Sequence, residues 1–240
     1  MSAKAPIILA VDTSDLELAK SWIAHTSEYV SVFKLGLEFF LNFGKEGVRA
    51  ITENSDAKIF LDLKLHDIPN TVEHAAKSAA LLDPLFLTVH ASGGSAMVKA
   101  AVAGAPNTHI TAVTILTSLS EADVASIGFA KSTIQSATDL AQLAVASGAS
   151  AIVCSPLETM KIRSVIGKES LIITPGVRPL SMMGTDDQSR TMTPSQAIAA
   201  GANYVVIGRP ITSAWEPTGV EIGKRAREIS VEILNFFLFH

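Results

Sequence analysis

The sequence predicts an α/β fold of the closed (β/α)8, or TIM, barrel type, and three observations predict it. Short β-rich runs alternate with helical patterns along the whole chain, the mark of parallel strands joined by crossover helices. Eight such pairs fit in 240 residues, a length that suits one closed barrel, which has no edge strand to protect. The turn after the first strand reads Val-Asp-Thr-Ser-Asp and lacks the Gly-x-Gly-x-x-Gly of an open nucleotide-binding sheet. No linker or shift in composition divides the series, so residues 1–240 are expected to form a single domain.

The first strand, 7–12, is the apolar run IILAV closed by Asp12, and DLELAKSWIAHT follows it as a helix. In the second, 29–36, Val32, Lys34 and Gly36 share one side while Phe33 and Leu35 face the helices, so the Lys34 ammonium points inward. The third, 58–65, alternates Phe60, Asp62 and Lys64 against Ile59, Leu61, Leu63 and Leu65 and leads to the helix TVEHAAKSAALL. The fourth and fifth read as 86–91 and 109–117, and the helix SATDLAQLAVAS precedes the sixth, 151–155. The seventh, 171–176, is joined through a long loop to the helix TPSQAIAA and the eighth strand, 204–209. The junctions SGASAIVCS and AGANYVVIG resemble each other, as expected where a helix ends at Gly and the chain re-enters a buried strand. The apolar end EILNFFLFH reads as a helix docking on the core or on a partner.

Composition excludes several functions. Nearly half the residues are apolar, and a net charge of −4 without a basic stripe argues against nucleic-acid or acidic-membrane surfaces. The single cysteine, Cys154, allows no internal disulfide and fits a reducing compartment, with a core residue as its default role. The start MSAKAP leaves no room for a secretion signal, and no apolar run is long enough to span a bilayer, so a cytoplasmic location is expected.

The chemistry gathers in KIFLDLKLHDIPNT, residues 58–71. A buried carboxylate and ammonium persist only when paired. Lys34, Asp62, Lys64 and Asp67 are therefore expected to form an alternating ionic array at the C-terminal rim of the barrel, where catalytic residues of this fold lie. A single charge at a strand end is as readily solvated or structural; the set is what points to catalysis. Around the same rim stand Asp12, Thr117 and Ser118. A second constellation, PGVRPLSMMGTDDQSR with IGRP, places Arg178, Gln188, Gly208 and Arg209 in the loops after strands seven and eight, where barrels commonly bind phosphate. Gly184 as a hinge and Met182 and Met183 as an apolar underside suit that long loop to closing over a ligand. His66 and His90 lack a ligand spacing, and hydrogen-bonded structural histidines are their default.

These residues resemble a known family. DLKLHDIPNT, FKLGLE, HASGG, TILTS, PGVRP with DDQSR, and VIGRPIT together are similar to the bacterial orotidine 5'-phosphate decarboxylases, over nearly the whole chain. The resemblance implies a carboxy-lyase of pyrimidine biosynthesis that converts orotidine 5'-phosphate to UMP with neither cofactor nor metal, as a homodimer with sites at the interface. It implies that Lys64 donates a proton to pyrimidine C6, flanked by Asp62 and by Asp67 of the other subunit, with Lys34 linking the array to the ribose. Asp12 and Thr71 are then ribose contacts, Thr117 and Ser118 pyrimidine contacts, and Arg178, Gln188, Gly208 and Arg209 the phosphate group. Arg178 and Gln188 stand one residue further apart than the family's usual spacing.

Two competing readings remain on the same barrel. A metal-dependent phosphosugar lyase would set Asp62 and a strand-two glutamate on Mg²⁺, but strand two offers Lys34 and no acid until Glu38. A non-catalytic nucleotide-binding protein would keep the phosphate loop without needing a buried Lys64.

Overall fold

Eight parallel strands pair in sequence order, and the last closes on the first to make a barrel. They are β1 Ala5–Ala10, β2 Val30–Leu35, β3 Ile59–Leu65, β4 Phe86–His90, β5 His109–Val113, β6 Ala151–Val153, β7 Leu171–Thr174 and β8 Tyr204–Ile207. The helices are α1 Leu16–Thr26, α2 Leu37–Thr52, α3 Pro69–Ala80, α4 Gly94–Gly104, α5 Glu121–Ser126 and α6 Thr133–Ala146. They continue with α7 Thr159–Ile166, α8 Pro194–Ala199, α9 Arg209–Thr212 and α10 Val220–Phe239. This computed structural model describes residues 4–53, 55–179 and 192–239.

The predicted eight strands are all present, but most stop short of their expected C-terminal ends. The fifth, expected to reach Thr117, ends at Val113, and the first ends at Ala10 before Asp12. The β5 ladder fades out at the mouth: the Thr114 amide still donates to the Val153 carbonyl at 3.1 Å, and the paired register ends at Val113 on β5 and at Thr174 on β7.

The alternation read from the sequence sorts the side chains into two cores. Ile8, Val32, Phe60, Phe86, Ala151 and Ile173 fill the barrel, with the Phe60 and Phe86 rings packed edge to face at 5.5 Å. Phe33, Leu35, Ile59, Leu61, Leu87 and Val89 point the other way, into the layer between strands and helices. Cys154 lies fully buried in that outer layer, and burial pushes its thiol up to about 12.

Local chemistry explains the element ends. Asp15 caps α1 by accepting the amides of Glu17 and Leu18, and Ser120 and Thr193 form capping boxes at α5 and α8. The two similar junctions end on Gly148 and Gly201, whose φ values of 96° and 109° lie where a side chain is strained. The helix α10 buries Ile222, Ala226 and Ile229, and from the apolar C-terminal stretch it buries Ile233. Among the described residues no helix is long and apolar enough to cross a membrane.

Candidate active site

Strand pairing brings the charged residues together. Ala10 stands opposite Lys34, and Lys34 opposite Phe60, so the ends of β1, β2 and β3 converge at one side of the mouth. Lys34 Nζ lies 3.2 Å from Asp12 Oδ1 and 3.5 Å from Asp62 Oδ2, and Lys64 Nζ lies 2.8 Å from Asp62 Oδ1. The Lys34 and Asp62 side chains are only 12% and 13% exposed, so that pair is largely desolvated, while Asp12 is 56% and Lys64 31% exposed. Gly36 keeps room for them, since a Cβ there would stand 3.1 Å from Lys34 Nζ and 3.3 Å from Asp12 Oδ1.

The array differs from the expected one at its ends. It runs Asp12, Lys34, Asp62, Lys64; Asp67 is exposed, and its carboxylate accepts the Ile68 amide at 2.6 Å. Among the described residues Asp67 forms no ion pair with Lys64. Beyond Leu65 the chain leaves the strand through a short connection that holds Asp67 and enters α3, whose first turn holds Thr71; both lie on a run of exposed residues from His66 to Thr71.

β3 is irregular where the chemistry sits. Leu61 pairs with Leu87 and Leu65 with Val89, so four steps along β3 match two along β4. The surplus is absorbed with Lys64 at φ 49°, a left-handed conformation that costs a side-chain-bearing residue about 1–3 kcal/mol. The Lys64 amide donates to Thr88 Oγ1 at 2.8 Å, and Thr88 Oγ1 donates in turn to Asp62 Oδ1 at 3.1 Å. Sequence reasoning missed Thr88. The signal was the same alternation, which places Phe86, Thr88 and His90 on the inward side of β4.

Electrostatics follow from this packing. Burial pushes the Asp62 carboxyl up, but the Lys34 and Lys64 ammoniums and the hydrogen bonds from Lys64 and Thr88 outweigh it, holding Asp62 below its ordinary value and ionised. His90 is lowered by burial and then by His66 and Lys64, against a weaker pull from Asp62. The His66 and His90 rings lie 5.4 Å apart, and among the described residues no three His, Cys, Asp or Glu side chains gather into a metal-binding group. Glu38 is exposed in the first turn of α2.

A cavity of about 210 Å³ opens over the array. Lys34, Asp62 and Lys64 form its charged wall, with Phe60 and Val206 continuing from the barrel core; Val113, Ile115, Leu116, Val153 and Pro175 make the remaining wall largely apolar. Thr117 lines it too, while Ser118 is exposed on the loop beyond β5. A larger cavity of about 470 Å³ lies at the other end of the strands, beside Ser31 and Lys58, away from the charged wall.

Gly208 and Arg209 stand at the end of β8, where Arg209 opens the short helix α9. Gly208 lies against β1, with an added Cβ 3.3 Å from the Ala10 Cβ. Arg178 is buried, with Nη1 donating to the Val177 carbonyl at 3.0 Å. The Val177–Met192 bridge, with the Arg178 amide donating to the Met192 carbonyl at 2.9 Å, ties together the two ends of the long loop. Gln188, Met182, Met183 and Gly184 lie outside the described residues.

The chain has relatives among known proteins. The family model described as "Orotidine 5'-phosphate decarboxylase / HUMPS family" matches residues 5–220. A Thermobifida fusca protein named orotidine 5'-phosphate decarboxylase is 50% identical over 213 residues, covering 89% of this chain and 91% of that protein. A Wolbachia pipientis protein of the same name is 44% identical, covering 88% and 93%. The crystal structure of orotidine 5'-phosphate decarboxylase from Lactobacillus acidophilus superposes with a TM-score of 0.82 at 35% identity, covering 96% of this chain and 99% of that one. On barrel, charged rim and likeness along nearly its full length, the chain belongs to the orotidine 5'-phosphate decarboxylase / HUMPS family.

Proposed function

We propose that this protein is a carboxy-lyase that decarboxylates orotidine 5'-phosphate to UMP in pyrimidine biosynthesis, using its own side chains and no cofactor. One observation carries the reading: an ammonium, Lys64, fixed 2.8 Å from a carboxylate on the wall of a partly apolar cavity. Loss of CO2 leaves the bonding electron pair on pyrimidine C6. Catalysis then requires positive charge and a proton where that carbanion forms, and the Lys64 ammonium supplies both.

Asp62 holds Lys64 charged and in place. A substrate carboxylate about 4 Å from Asp62 would be repelled by about 4 kcal/mol at an effective dielectric near 20. That repulsion fades as CO2 departs, but stabilising the carbanion is the larger contribution. Lys34, which bridges Asp12 and Asp62, is assigned to link the array to the ribose. Thr117 and Ser118 are assigned to the pyrimidine, and Arg178, Gln188, Gly208 and Arg209 to the phosphate, whose remote binding energy is available to the reaction at C6.

The site is completed by a second copy of the chain. Asp67 and Thr71 are exposed, and Asp67 makes no ion pair with its own chain's Lys64 among the described residues, which leaves it free to serve a partner's site. In the homodimer Asp67 of the partner subunit joins Lys64, and Thr71 is assigned to the ribose contacts. Residues 1–240 act as one catalytic unit, in the cytoplasm. The test is the fall in absorbance when orotidine 5'-phosphate is added to the protein: the intact chain consumes it and Lys64→Ala does not. An intact chain that binds UMP tightly without turning over the substrate would instead make this a nucleotide-binding protein.

A further inference from the structure

The backbone of Lys64 and the carboxylate of Asp62 are held by one side chain that takes no part in the chemistry just described. The bulge on β3 turns the Lys64 amide out of the regular ladder, and the Thr88 hydroxyl receives it at 2.8 Å. The proton of that hydroxyl is directed to Asp62 Oδ1 at 3.1 Å, the same oxygen that accepts the Lys64 ammonium at 2.8 Å. Asp62 Oδ2 is thereby left to Lys34, at 3.5 Å. Thr88 is 0% exposed, so bulk water has no access to replace it as acceptor for the one group and donor to the other.

We infer that Thr88 is a positioning residue: its hydroxyl locks the left-handed turn at Lys64 and the rotamer of Asp62 together, setting where the Lys64 ammonium stands. A strained backbone persists only when its surroundings over-determine it, and Thr88 is the side chain that does so here. A methyl in place of the hydroxyl keeps the packing but leaves the Lys64 amide without its acceptor and Asp62 without one donor. Lys64 then relaxes away from the geometry in which it meets C6. The inference rests on the proposed role of Lys64 in decarboxylation.

The experiment compares Thr88→Val and Thr88→Ser with the intact protein. Thr88→Val is expected to lower kcat at least about tenfold with KM changed by less than about threefold, and Thr88→Ser to return kcat to within about threefold of the intact protein. A Thr88→Val protein with undiminished kcat overturns the inference, as does a folded Thr88→Ser protein as slow as Thr88→Val. If Thr88→Val does not fold, Thr88→Ala against Thr88→Ser gives the same comparison. A second readout does not depend on turnover. In the valine variant the Lys64 amide should exchange with solvent faster, and the Asp62 carboxyl, followed by NMR, should titrate at higher pH. If both are unchanged the inference fails, whatever the activity; if both shift but the intact protein leaves orotidine 5'-phosphate untouched, the functional proposal fails and the positioning role stands.

Discussion

Lys64 Nζ reaches Asp62 Oδ1 at 2.8 Å although the two residues are next-but-one neighbours on a single strand. Such neighbours share a face but rise about 6–7 Å apart along a regular strand, so their charged ends meet only if the backbone or the side chains bend toward each other. Here Lys64 takes φ 49° in a bulged β3. The pair is thus a product of local strain held by the neighbouring strand, and the predictions follow from it.

On the proposed mechanism, replacing Lys64 by Ala removes the proton donor and the charge opposite the developing carbanion at once. The expected loss in kcat is at least about 10⁴-fold, the combined size of a lost general acid and a lost electrostatic stabiliser. The absorbance assay measures it, and residual activity within a hundredfold of the intact protein would remove Lys64 from the chemistry.

Asp62 links the site to stability. Its folded pKa lies below the ordinary value of 3.8, so its ionised form stabilises the fold fully at pH values above that of the unfolded chain. This contribution is lost as pH falls through the lower folded value. Urea unfolding should therefore show the intact protein more stable than Asp62→Asn at neutral pH, with the gap closing in acid below about pH 3.8. Asp62→Ala, which leaves Lys64 without its carboxylate and Lys34 with Asp12 alone, should cost about 3 kcal/mol at neutral pH. A gap that widens in acid contradicts the assignment.

Asp67 faces away from its own chain's array, so two dead subunits should make a live one. In a mixture of Lys64→Ala and Asp67→Ala subunits, a mixed dimer carries one complete site, and random exchange at equal amounts regenerates about one quarter of all sites. Mixed dimers verified by mass that stay inactive would place the whole site within one chain.

Turnover should be indifferent to chelation. Dialysis against EDTA is expected to leave kcat/KM unchanged, and added Mg²⁺ to give no acceleration, because the proposed mechanism gives an ammonium the work that a metal-dependent lyase gives to Mg²⁺. Activity lost to EDTA and restored by Mg²⁺ would return the phosphosugar lyase to first place.

Gly36→Ala would push on the Lys34–Asp12 pair, since its Cβ meets Lys34 Nζ at 3.1 Å and Asp12 Oδ1 at 3.3 Å. Gly36 has φ −88°, so the substitution brings no backbone strain of its own. The expected result is a fall of about tenfold in kcat/KM with the unfolding free energy changed by less than about 1 kcal/mol. A large loss of stability with normal turnover would show the space to be needed for packing instead.

The barrel, the inward side of each strand and three members of the charged array, Lys34, Asp62 and Lys64, were legible in the chain, because strand alternation and glycine-ended helices are local rules that neighbours obey. Lys34 was assigned to Asp62 on that basis, and the two do meet. The tertiary structure alone decided that Asp12 takes the end of the array within one chain, that Asp67 turns outward, and that Thr88 grips both Lys64 and Asp62. These are contacts across strands, set by the register of β3 against β4 and by a backbone angle at Lys64 that no side-chain pattern encodes. Where charge is buried, the chain states which groups must be paired; only packing in three dimensions states with whom.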